Sequence, residues 1–116
     1  MLNIGVDIVA TDRIKSILSS DKGLRFINKI FSKKEIAESE KKGDKSQYFS
    51  GRFAAKESIK KALSSYNTTA KQSFKSIQIL NSKSGKPYVL SQSNQDINVS
   101  ISHDGNYAVA FCVIDK

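Results

Sequence analysis

The segment from residue 51 to residue 63 most constrains the fold of this chain, because it has the pattern of a long helix packed on a core. At about 100° per residue, its apolar side chains and their neighbours fall on one broad arc. The members of this arc are Phe49, Phe53, Ile59, Ala62, Leu63 and Tyr66. We predict a helix over roughly residues 46 to 66, ended by the Asn67-Thr68-Thr69 run.

Basic side chains lie within or beside this apolar arc, where a core-facing helix normally carries none. Arg52, Lys56 and Lys60 follow one another at four-residue spacing. Like charges at this spacing repel by about 0.2–0.5 kcal/mol per pair on an exposed helix, and by more where solvent is excluded. We therefore expect an anionic group beside these cations.

Glu57 and Lys61 stand one helical turn apart at the edge of the arc, so a carboxylate and an ammonium can face the same small volume. This layout suits a site for a metal ion and phosphates. It suits equally well an ordinary Glu-to-Lys helix pair, with neighbouring lysines whose stems lie along the protein surface. The helix by itself leaves both interpretations open.

The charge of the chain indicates an anionic partner. The 116 residues include 19 Lys and Arg against 11 Asp and Glu, which gives a net charge of +8. Residues 11 to 61 hold 14 basic and 7 acidic side chains, whereas residues 62 to 116 hold 5 and 3. The attractive field therefore lies on the helical half and favours phosphates, nucleic acid, anionic lipid or an acidic protein.

Cysteine content and hydropathy indicate the compartment. The single cysteine, Cys112, lies in an apolar run typical of a core strand, so a disulfide framework is excluded and a reducing compartment is natural. No basic leader precedes an apolar run, and no apolar run reaches the roughly 20 residues of a membrane span. We expect one cytoplasmic domain over residues 1–116.

The first ten residues have the alternation of a β-strand. Leu2, Ile4, Val6, Ile8 and Ala10 form an apolar face, and the intervening residues form a partly polar reverse face. Asp7 projects from that reverse face. Gly5, on the same side, lacks a side chain, so another backbone or a ligand could approach closely there.

The remaining pattern predicts an α+β fold with helices first and an antiparallel sheet of C-terminal strands. Thr11 or Asp12 can cap a first short helix, and Asp21 or Ser32 can open further ones. After the long central helix, strands are predicted near residues 74–79, 88–90, 97–101 and 107–114. A Ser84-Gly85-Lys86-Pro87 turn and an Asp104-Gly105-Asn106 hairpin connect them.

The side chains available for chemistry favour hard-oxygen ligands. The only histidine, His103, ends a predicted strand, where a structural role and a functional one are both open. A Gly-x-Ser-x-Gly elbow is absent, and one His with one Cys makes a zinc site improbable. Asp7 and Glu57 are the natural pair for Mg²⁺, which typically takes one or two carboxylates and completes its shell with water and phosphate.

A collinear set of motifs resembles the holo-(acyl-carrier-protein) synthase family, a branch of the 4'-phosphopantetheinyl transferases. The matching segments, in chain order, are Ile4-Gly5-Val6-Asp7-Ile8 with Arg13-Ile14, Gly51-Arg52-Phe53-Ala54-Ala55-Lys56-Glu57 with Lys61-Ala62, Gly85-Lys86-Pro87, and Val99-Ser100-Ile101-Ser102-His103. The resemblance implies an α+β fold, Mg²⁺ dependence and a homotrimer with active sites between subunits. It also implies transfer of phosphopantetheine from coenzyme A to a serine of apo acyl carrier protein, in support of fatty acid biosynthesis.

The resemblance assigns roles residue by residue. It makes Asp7 and Glu57 the metal ligands, and it gives Glu57 and Lys61 catalytic positions near the reacting phosphate. The base that takes the serine proton stays open between Glu57, a metal-bound water and Asp104. Its implied coenzyme A contacts are Arg52, Lys56, Lys61, Lys86, Pro87 and His103. Arg13 matches an arginine on the carrier-docking helix of the family, and Lys15, Lys22 and Arg25 lie nearby and could join it against an acidic partner helix.

One departure and two alternatives complete the prediction. After Leu63 the family usually has a glycine-bearing turn, whereas this chain reads Ser64-Ser65-Tyr66-Asn67-Thr68-Thr69, which puts loop contacts to coenzyme A in doubt. A basic, non-enzymatic nucleic-acid-binding module is the rival hypothesis, motivated by the charge. A purely structural trimer or scaffold would need no Mg²⁺. The resemblance favours the transferase, with no nucleic acid or membrane as partner.

Overall fold

The computed structural model describes residues 2–64, 73–92 and 95–115. The helices are α1 (Thr11–Ser19), α2 (Gly23–Ile30), α3 (Lys33–Ser39) and α4 (Lys45–Ser64). The strands are β1 (Leu2–Ala10), β2 (Gln78–Asn81), β3 (Pro87–Leu90), β4 (Asp96–Asp104) and β5 (Tyr107–Asp115), with a 3-10 turn at Phe74–Ser76. The predicted α+β class and the long central helix are confirmed.

The strands form two antiparallel sheets. One has the order β1-β5-β4, and the other is the β2-β3 hairpin. The helix α4 packs on one face of the larger sheet, and α1 and α3 pack around it. The helix ends at Ser64 among the described residues, so the predicted ending at Asn67-Thr68-Thr69 and the apolar position of Tyr66 lie outside them.

The predicted apolar arc of α4 lies in the hydrophobic core. Phe49, Phe53, Ile59 and Ala62 are buried, and Leu63 is half-buried. They pack against side chains from β5 and from the helices α1 and α2. Burial of each large side chain in such a core contributes about 1.5–3 kcal/mol to the free energy of unfolding.

The two faces of β1 alternate as predicted, but the apolar face does not cover the core. Leu2, Ile4, Val6 and Ile8 are 56–63% exposed. The opposite, partly polar face lies against α4 instead, because glycine there permits a very close backbone contact. A Cβ atom at Gly5 would overlap the carbonyl oxygen of Ser58. The close approach that Gly5 predicted is therefore confirmed, and the neighbour is the α4 backbone.

Helix starts are partly different from the prediction. The Ser32 cap of α3 is confirmed, with a full capping box in which Glu35 bonds back to Ser32 N–H. The caps expected from Thr11 or Asp12 are wrong, since α1 has no side-chain cap of its own. Asp21 also caps nothing, because α2 starts after Lys22 without a side-chain bond.

The β4-β5 hairpin replaces the missing cap of α1. The predicted Asp104-Gly105-Asn106 turn is confirmed, with Gly105 in the left-handed region at φ 56°. The Asn106 backbone oxygen accepts from Thr11 N–H at 2.7 Å, and its side-chain oxygen accepts from Asp12 N–H at 2.9 Å. The first donors of α1 are therefore satisfied by a distant turn.

Acidic side chains of α3 bond to the backbone of β2. Glu35 Oε2 accepts from Ile79 N–H at 2.9 Å, and Glu38 Oε2 accepts from Asn81 N–H at 2.9 Å. The two acids are three residues apart on the helix, and their partners are two residues apart on the strand. One face of α3 thus supplies the acceptors that a neighbouring strand would otherwise provide.

Basic side chains of α4 bond to β2, to the residue just before it, and to those acids. Arg52 Nε donates to Ile79 O at 3.0 Å, and Lys56 Nζ donates to Ile77 O. Lys56 Nζ also donates to Glu35 Oε1 at 2.8 Å, and neither side chain of this pair is exposed to solvent. The anionic groups beside Arg52 and Lys56 therefore come from the chain itself, as Glu38 and Glu35.

We predict that Gly5→Ala destabilises the fold, because β1 must move away from α4 to make room for the methyl group. The expected loss is about 1–3 kcal/mol in the free energy of unfolding, measured by urea denaturation. Gly43→Ala is the control, since a Cβ atom at Gly43 meets nothing within 4 Å. An equal effect of the two substitutions would contradict the close-approach argument.

We predict that Lys56→Met also destabilises strongly, because it leaves the Glu35 carboxylate buried without its cation. Removing one partner of a buried ion pair costs about 3–5 kcal/mol, to be measured by thermal and urea unfolding. Lys34→Met, at an exposed position of α3, is the matched control. Stability unchanged in Lys56→Met would show that the pair does not hold α3, α4 and β2 together.

Candidate active site

A carboxylate of β1 and an ammonium of α4 meet at one flank of the helix. Asp7 lies on the strand face that packs on α4, in register with Ala110 of β5. Lys61 Nζ donates to Asp7 Oδ1 at 2.8 Å and to the backbone oxygen of Val6 at 3.2 Å. The Asp7 side chain is 16% exposed and that of Lys61 is 55% exposed, so the pair opens to solvent on the lysine side.

Glu57 adds a second carboxylate to this flank. It is half-buried and precedes Lys61 by one turn of α4. The hydrogen bond and charge of Asp7, and then the charge of Glu57, raise the pKa of Lys61 above its ordinary value. The lysine therefore stays protonated at neutral pH, and two acids and one cation face one open region.

A second polar region lies on the opposite flank of α4. A cavity of about 240 Å³ there contains His103 and Arg52. Its lining residues are Lys42, Gly43, Asp44, Gln47, Tyr48, Arg52, Asn81 and His103. The His103 ring packs on α4 at Gly51, where an added Cβ atom would lie 3.0 Å from the imidazole.

His103 is mostly neutral at physiological pH. Partial burial lowers its pKa, and the positive charge of Arg52 lowers it further, while Asp44 acts in the opposite direction. A neutral imidazole has one donor and one acceptor nitrogen, so it can hydrogen-bond a ligand without adding a second full positive charge beside Arg52.

The prediction that Lys56 contacts coenzyme A is wrong. Its Nζ is fully buried and donates to Glu35, to Phe74 O at 2.7 Å and to Ile77 O. Burial lowers the pKa of this lysine, and the charge of Glu35 opposes that shift. All three ammonium hydrogens are used inside the protein, so the side chain has a structural role.

Lys86 and Pro87 lie in a third region. They line a groove of about 600 Å³ between the β3 side and the exposed face of the larger sheet. Apolar side chains from β4 and β5, among them Ile101 and Phe111, form its other wall. Neither residue shares the cavity that contains Arg52 and His103 in this protomer.

The predicted site residues therefore separate into groups. Arg52 and Glu57 differ by five helix positions, which at 100° per residue places them about 140° apart around α4. The structure brings Asp7 and Lys61 into contact, with Glu57 on the same flank, and brings Arg52 and His103 together on the other. It does not bring the two groups together within this single chain.

The predicted docking residues are all exposed on the helical half. Arg13 and Lys15 lie on α1, and Arg25 lies on α2 beside Leu24, which is 76% exposed. Asp104 is exposed where β4 ends. Glu38, Tyr48 and Asn81 were not predicted to belong to a site. The repeat of acids at 35 and 38 against cations at 52 and 56 was the signal that could have revealed Glu38.

The described residues were also compared with the requirements of a metal cluster and of a membrane span. Among residues 2–64, 73–92 and 95–115, no group of three or more His, Cys, Asp or Glu side chains is arranged to hold a metal ion. A metal at Asp7 and Glu57 would thus depend on further ligands from substrate or solvent. Within the same residues, no helix has the length and apolar character needed to cross a membrane.

Comparison with known proteins identifies the family. A family model described as "4'-phosphopantetheinyl transferase superfamily" matches residues 3–112. A holo-(acyl-carrier-protein) synthase of Thermodesulfovibrio yellowstonii is 41% identical over 112 residues, with 96% of each chain covered. One of Clostridium acetobutylicum is 36% identical over 122 residues, covering 97% of this chain and 95% of the relative.

Solved structures give the same result for the fold. A holo-(acyl-carrier-protein) synthase from Bacillus anthracis, in complex with CoA (3',5'-ADP), superposes with a TM-score of 0.82 at 30% identity, covering 97% of this chain and 94% of the other. The Helicobacter pylori synthase in complex with coenzyme A superposes with a TM-score of 0.83 at 32% identity, covering 97% and 99%. The chain therefore belongs to the 4'-phosphopantetheinyl transferase superfamily and, within it, to the holo-(acyl-carrier-protein) synthases.

Proposed function

We propose that this protein transfers the 4'-phosphopantetheine group from coenzyme A to a serine of apo acyl carrier protein, and so supports fatty acid biosynthesis in the cytoplasm. The observation that carries the proposal is the agreement between family membership over nearly the whole chain and the cluster of Asp7, Glu57 and Lys61. The products are the holo carrier protein and adenosine 3',5'-bisphosphate.

We propose Mg²⁺ as the cofactor, held by Asp7 and Glu57. Carboxylate oxygens are the ligands that Mg²⁺ prefers, and this ion commonly uses only one or two of them beside substrate phosphate. Among the described residues, Lys61 is the one side chain that engages the Asp7 carboxylate, through Oδ1. When bound, the ion would neutralise negative charge on the pyrophosphate, including the charge that develops on the bridging oxygen.

The protein's own residues position the phosphate and take up the proton. Lys61 is half-exposed and stays charged, so its ammonium can leave Asp7 to bind an oxygen of the phosphoryl group being transferred. The carrier serine needs a base, and Glu57 suits this role because it shares the flank with Asp7 and Lys61. Asp104 lies at the far end of β4, on the opposite edge of the sheet from β1.

The division of site residues between two flanks of α4 supports a site shared by subunits. Coenzyme A carries phosphates at both its centre and its ribose, so one molecule can contact two separate basic regions. If Asp7, Glu57 and Lys61 of one protomer face Arg52 and His103 of a partner, a single substrate can reach both groups. We propose that such sites lie between the protomers of a homotrimer.

The exposed sheet face supplies a surface for that assembly. Two of the exposed β1 residues have apolar cross-strand neighbours: Val6 pairs with Phe111, which is 43% exposed, and Ile4 pairs with Val113. Contiguous apolar surface of this kind marks an interaction site. A closed trimer would bury it, because each protomer would present the same strands to its neighbours.

Carrier recognition is assigned to the basic surface of α1 and α2. Arg13, Lys15 and Arg25 are exposed there, and the helical half carries most of the net positive charge. A partner with an acidic helix would be attracted at long range, and its association rate would fall as salt rises. Leu24, next to Arg25, adds an exposed apolar side chain to this proposed docking surface.

We predict that Asp7→Asn and Glu57→Gln each reduce transfer at least about a hundredfold, because each removes a carboxylate that the reaction needs. The assay mixes protein, Mg²⁺, coenzyme A and apo carrier protein, and weighs the carrier by mass spectrometry. Glu40→Gln removes an exposed acid that pairs with Lys45, and should retain activity. A wild-type protein that modifies none of several carriers would end this proposal.

The same variants separate the enzyme from a nucleic-acid-binding module. Loss of either acid makes the protein more basic and would preserve or strengthen binding to nucleic acid. Omission of Mg²⁺ by chelation should stop transfer in the wild-type protein. Transfer that continues at the same rate in a chelator would exclude the metal role of Asp7 and Glu57.

We predict that two inactive variants recover activity when they are mixed in one oligomer. Co-expression of Asp7→Asn with His103→Ala should leave about one quarter of shared sites with both intact residues, if subunits assort at random in a closed ring. Asp7→Asn with Glu57→Gln is the matched control, because both changes affect the same flank and no site regains both acids. Equal activity of the two mixtures would argue against sites shared between subunits.

A further inference from the structure

Glu38 bonds to three of the residues that line the cavity beside His103. Its Oε1 accepts from Tyr48 Oη at 2.8 Å and from Arg52 Nη2 at 3.0 Å. Its Oε2 accepts from Asn81 N–H at 2.9 Å. One carboxylate at the end of α3 thus joins α4 and β2 behind the wall of that cavity.

Three acceptors bind the Nε and Nη2 atoms of Arg52, and the Nη1 edge of its guanidinium remains available. Nε donates to Ile79 O at 3.0 Å, and Nη2 donates to Glu38 and to Asn81 Oδ1 at 2.7 Å. The guanidinium also lies over the Tyr48 ring, 4.6 Å from its centroid. Among the residues that the structure describes, the two Nη1 hydrogens have no hydrogen-bond acceptor, although the side chain is only 8% exposed.

The carboxylate of Glu38 is stable in its charged form. Burial raises its pKa, but hydrogen bonds from Asn81, Tyr48 and Arg52 together outweigh burial, so the pKa lies below its ordinary value. Glu38 therefore remains an acceptor at neutral pH. At neutral pH its charged oxygens can therefore fix the orientation of Arg52.

We infer that Glu38 is a positioning residue for coenzyme A: it locks the Arg52 guanidinium so that the Nη1 edge, with His103 in the same cavity, binds a phosphate group of that substrate. This inference rests on the proposed function. A guanidinium fixed on its other donors binds an oxyanion with less loss of side-chain freedom than a mobile one. Glu38 itself touches no substrate.

Two effects of removing the Glu38 charge oppose each other. Loss of the negative charge of Glu38 would favour binding of an anion in the cavity. This effect is weak, because the Arg52 guanidinium lies between Glu38 and the anion and because solvent screens charges at the open side. Loss of orientation acts directly on the donors that meet the phosphate. We expect the orientation effect to dominate, so that binding of coenzyme A weakens.

The experiment compares Glu38→Gln with Glu40→Gln in steady-state transfer. Glu38→Gln should raise KM for coenzyme A about five- to tenfold, with kcat and KM for the carrier within about twofold of the wild type. Glu40 lies at the same end of α3, its side chain is 63% exposed and it pairs with Lys45. Glu40→Gln therefore controls for the loss of one negative charge at this end of the helix. Glu38→Asp, which keeps the charge, should recover part of the affinity.

A double-mutant cycle tests whether Glu38 acts through Arg52. In an Arg52→Lys background, which keeps a positive charge but lacks the forked donors, Glu38→Gln should raise KM for coenzyme A by less than about twofold. Equal effects in both backgrounds would overturn the inference. If Glu38→Gln lowers the melting temperature too far for assay, Tyr48→Phe removes one bond to Glu38 and should give a smaller rise in the same KM.

A further measurement with 3'-dephospho-coenzyme A as substrate shows which phosphate of coenzyme A binds Arg52. If Arg52 binds the ribose phosphate, the penalty of Glu38→Gln should disappear with this substrate; if it binds the pyrophosphate, the penalty should persist. A KM for coenzyme A that is unchanged or lower in Glu38→Gln, with an active wild type, overturns the inference and leaves the proposed function intact. An inactive wild type instead contradicts the proposed function.

Discussion

The contact between Gly5 of β1 and the backbone of Ser58 in α4 determines where the charged groups of the site lie. Because no side chain separates the strand from the helix, their backbones touch, and the next residue on the same strand face reaches the flank of α4. That residue is Asp7, and Lys61 meets its carboxylate there. A larger residue at position 5 would widen this gap and move the two charges apart, whatever their identities.

The cations of α4 have different fates because the helix is covered on some sides and open on others. Lys56 is enclosed between α3 and the segment that precedes β2, where it neutralises Glu35, and Lys60 Nζ lies 3.9 Å from the centroid of the Phe74 ring. Lys61 faces solvent, so its charge stays available for a substrate. Arg52 combines both conditions, since most of its donors are satisfied internally and one edge faces a cavity.

Local sequence signals predicted the local features of the fold. The apolar arc of α4, the Ser32 cap, the Asp104-Gly105-Asn106 turn and the close approach at Gly5 are each set by residues within a few positions or by the absence of a side chain. Helix periodicity placed Glu57 and Lys61 on one flank of α4, whereas Asp7 was joined to them by the ligand preference of Mg²⁺ and by the family resemblance.

Features that depend on tertiary packing could not be predicted from the sequence. Periodicity showed that Lys56 lies near an apolar surface, but its partner Glu35 is 21 positions away on another helix, so an internal anion and a bound one looked alike. The apolar face of β1 could likewise not be assigned to core or surface, since a single chain does not state whether another subunit covers it. The residues that follow Leu63, where the chain departs from its family, include positions outside the described part of the structure.

The hydrogen bonds from Asn106 to the start of α1 hold that helix without help from the side chains of its own first residues. Its opening amides are anchored by a hairpin whose nearest bonded position is 94 residues away, rather than by a local serine or aspartate. Side chains on the opening turn can therefore drift in evolution without loosening the helix beneath them. The surface that α1 presents to solvent can change its charges without loss of the hydrogen bonds that hold the start of the helix in place.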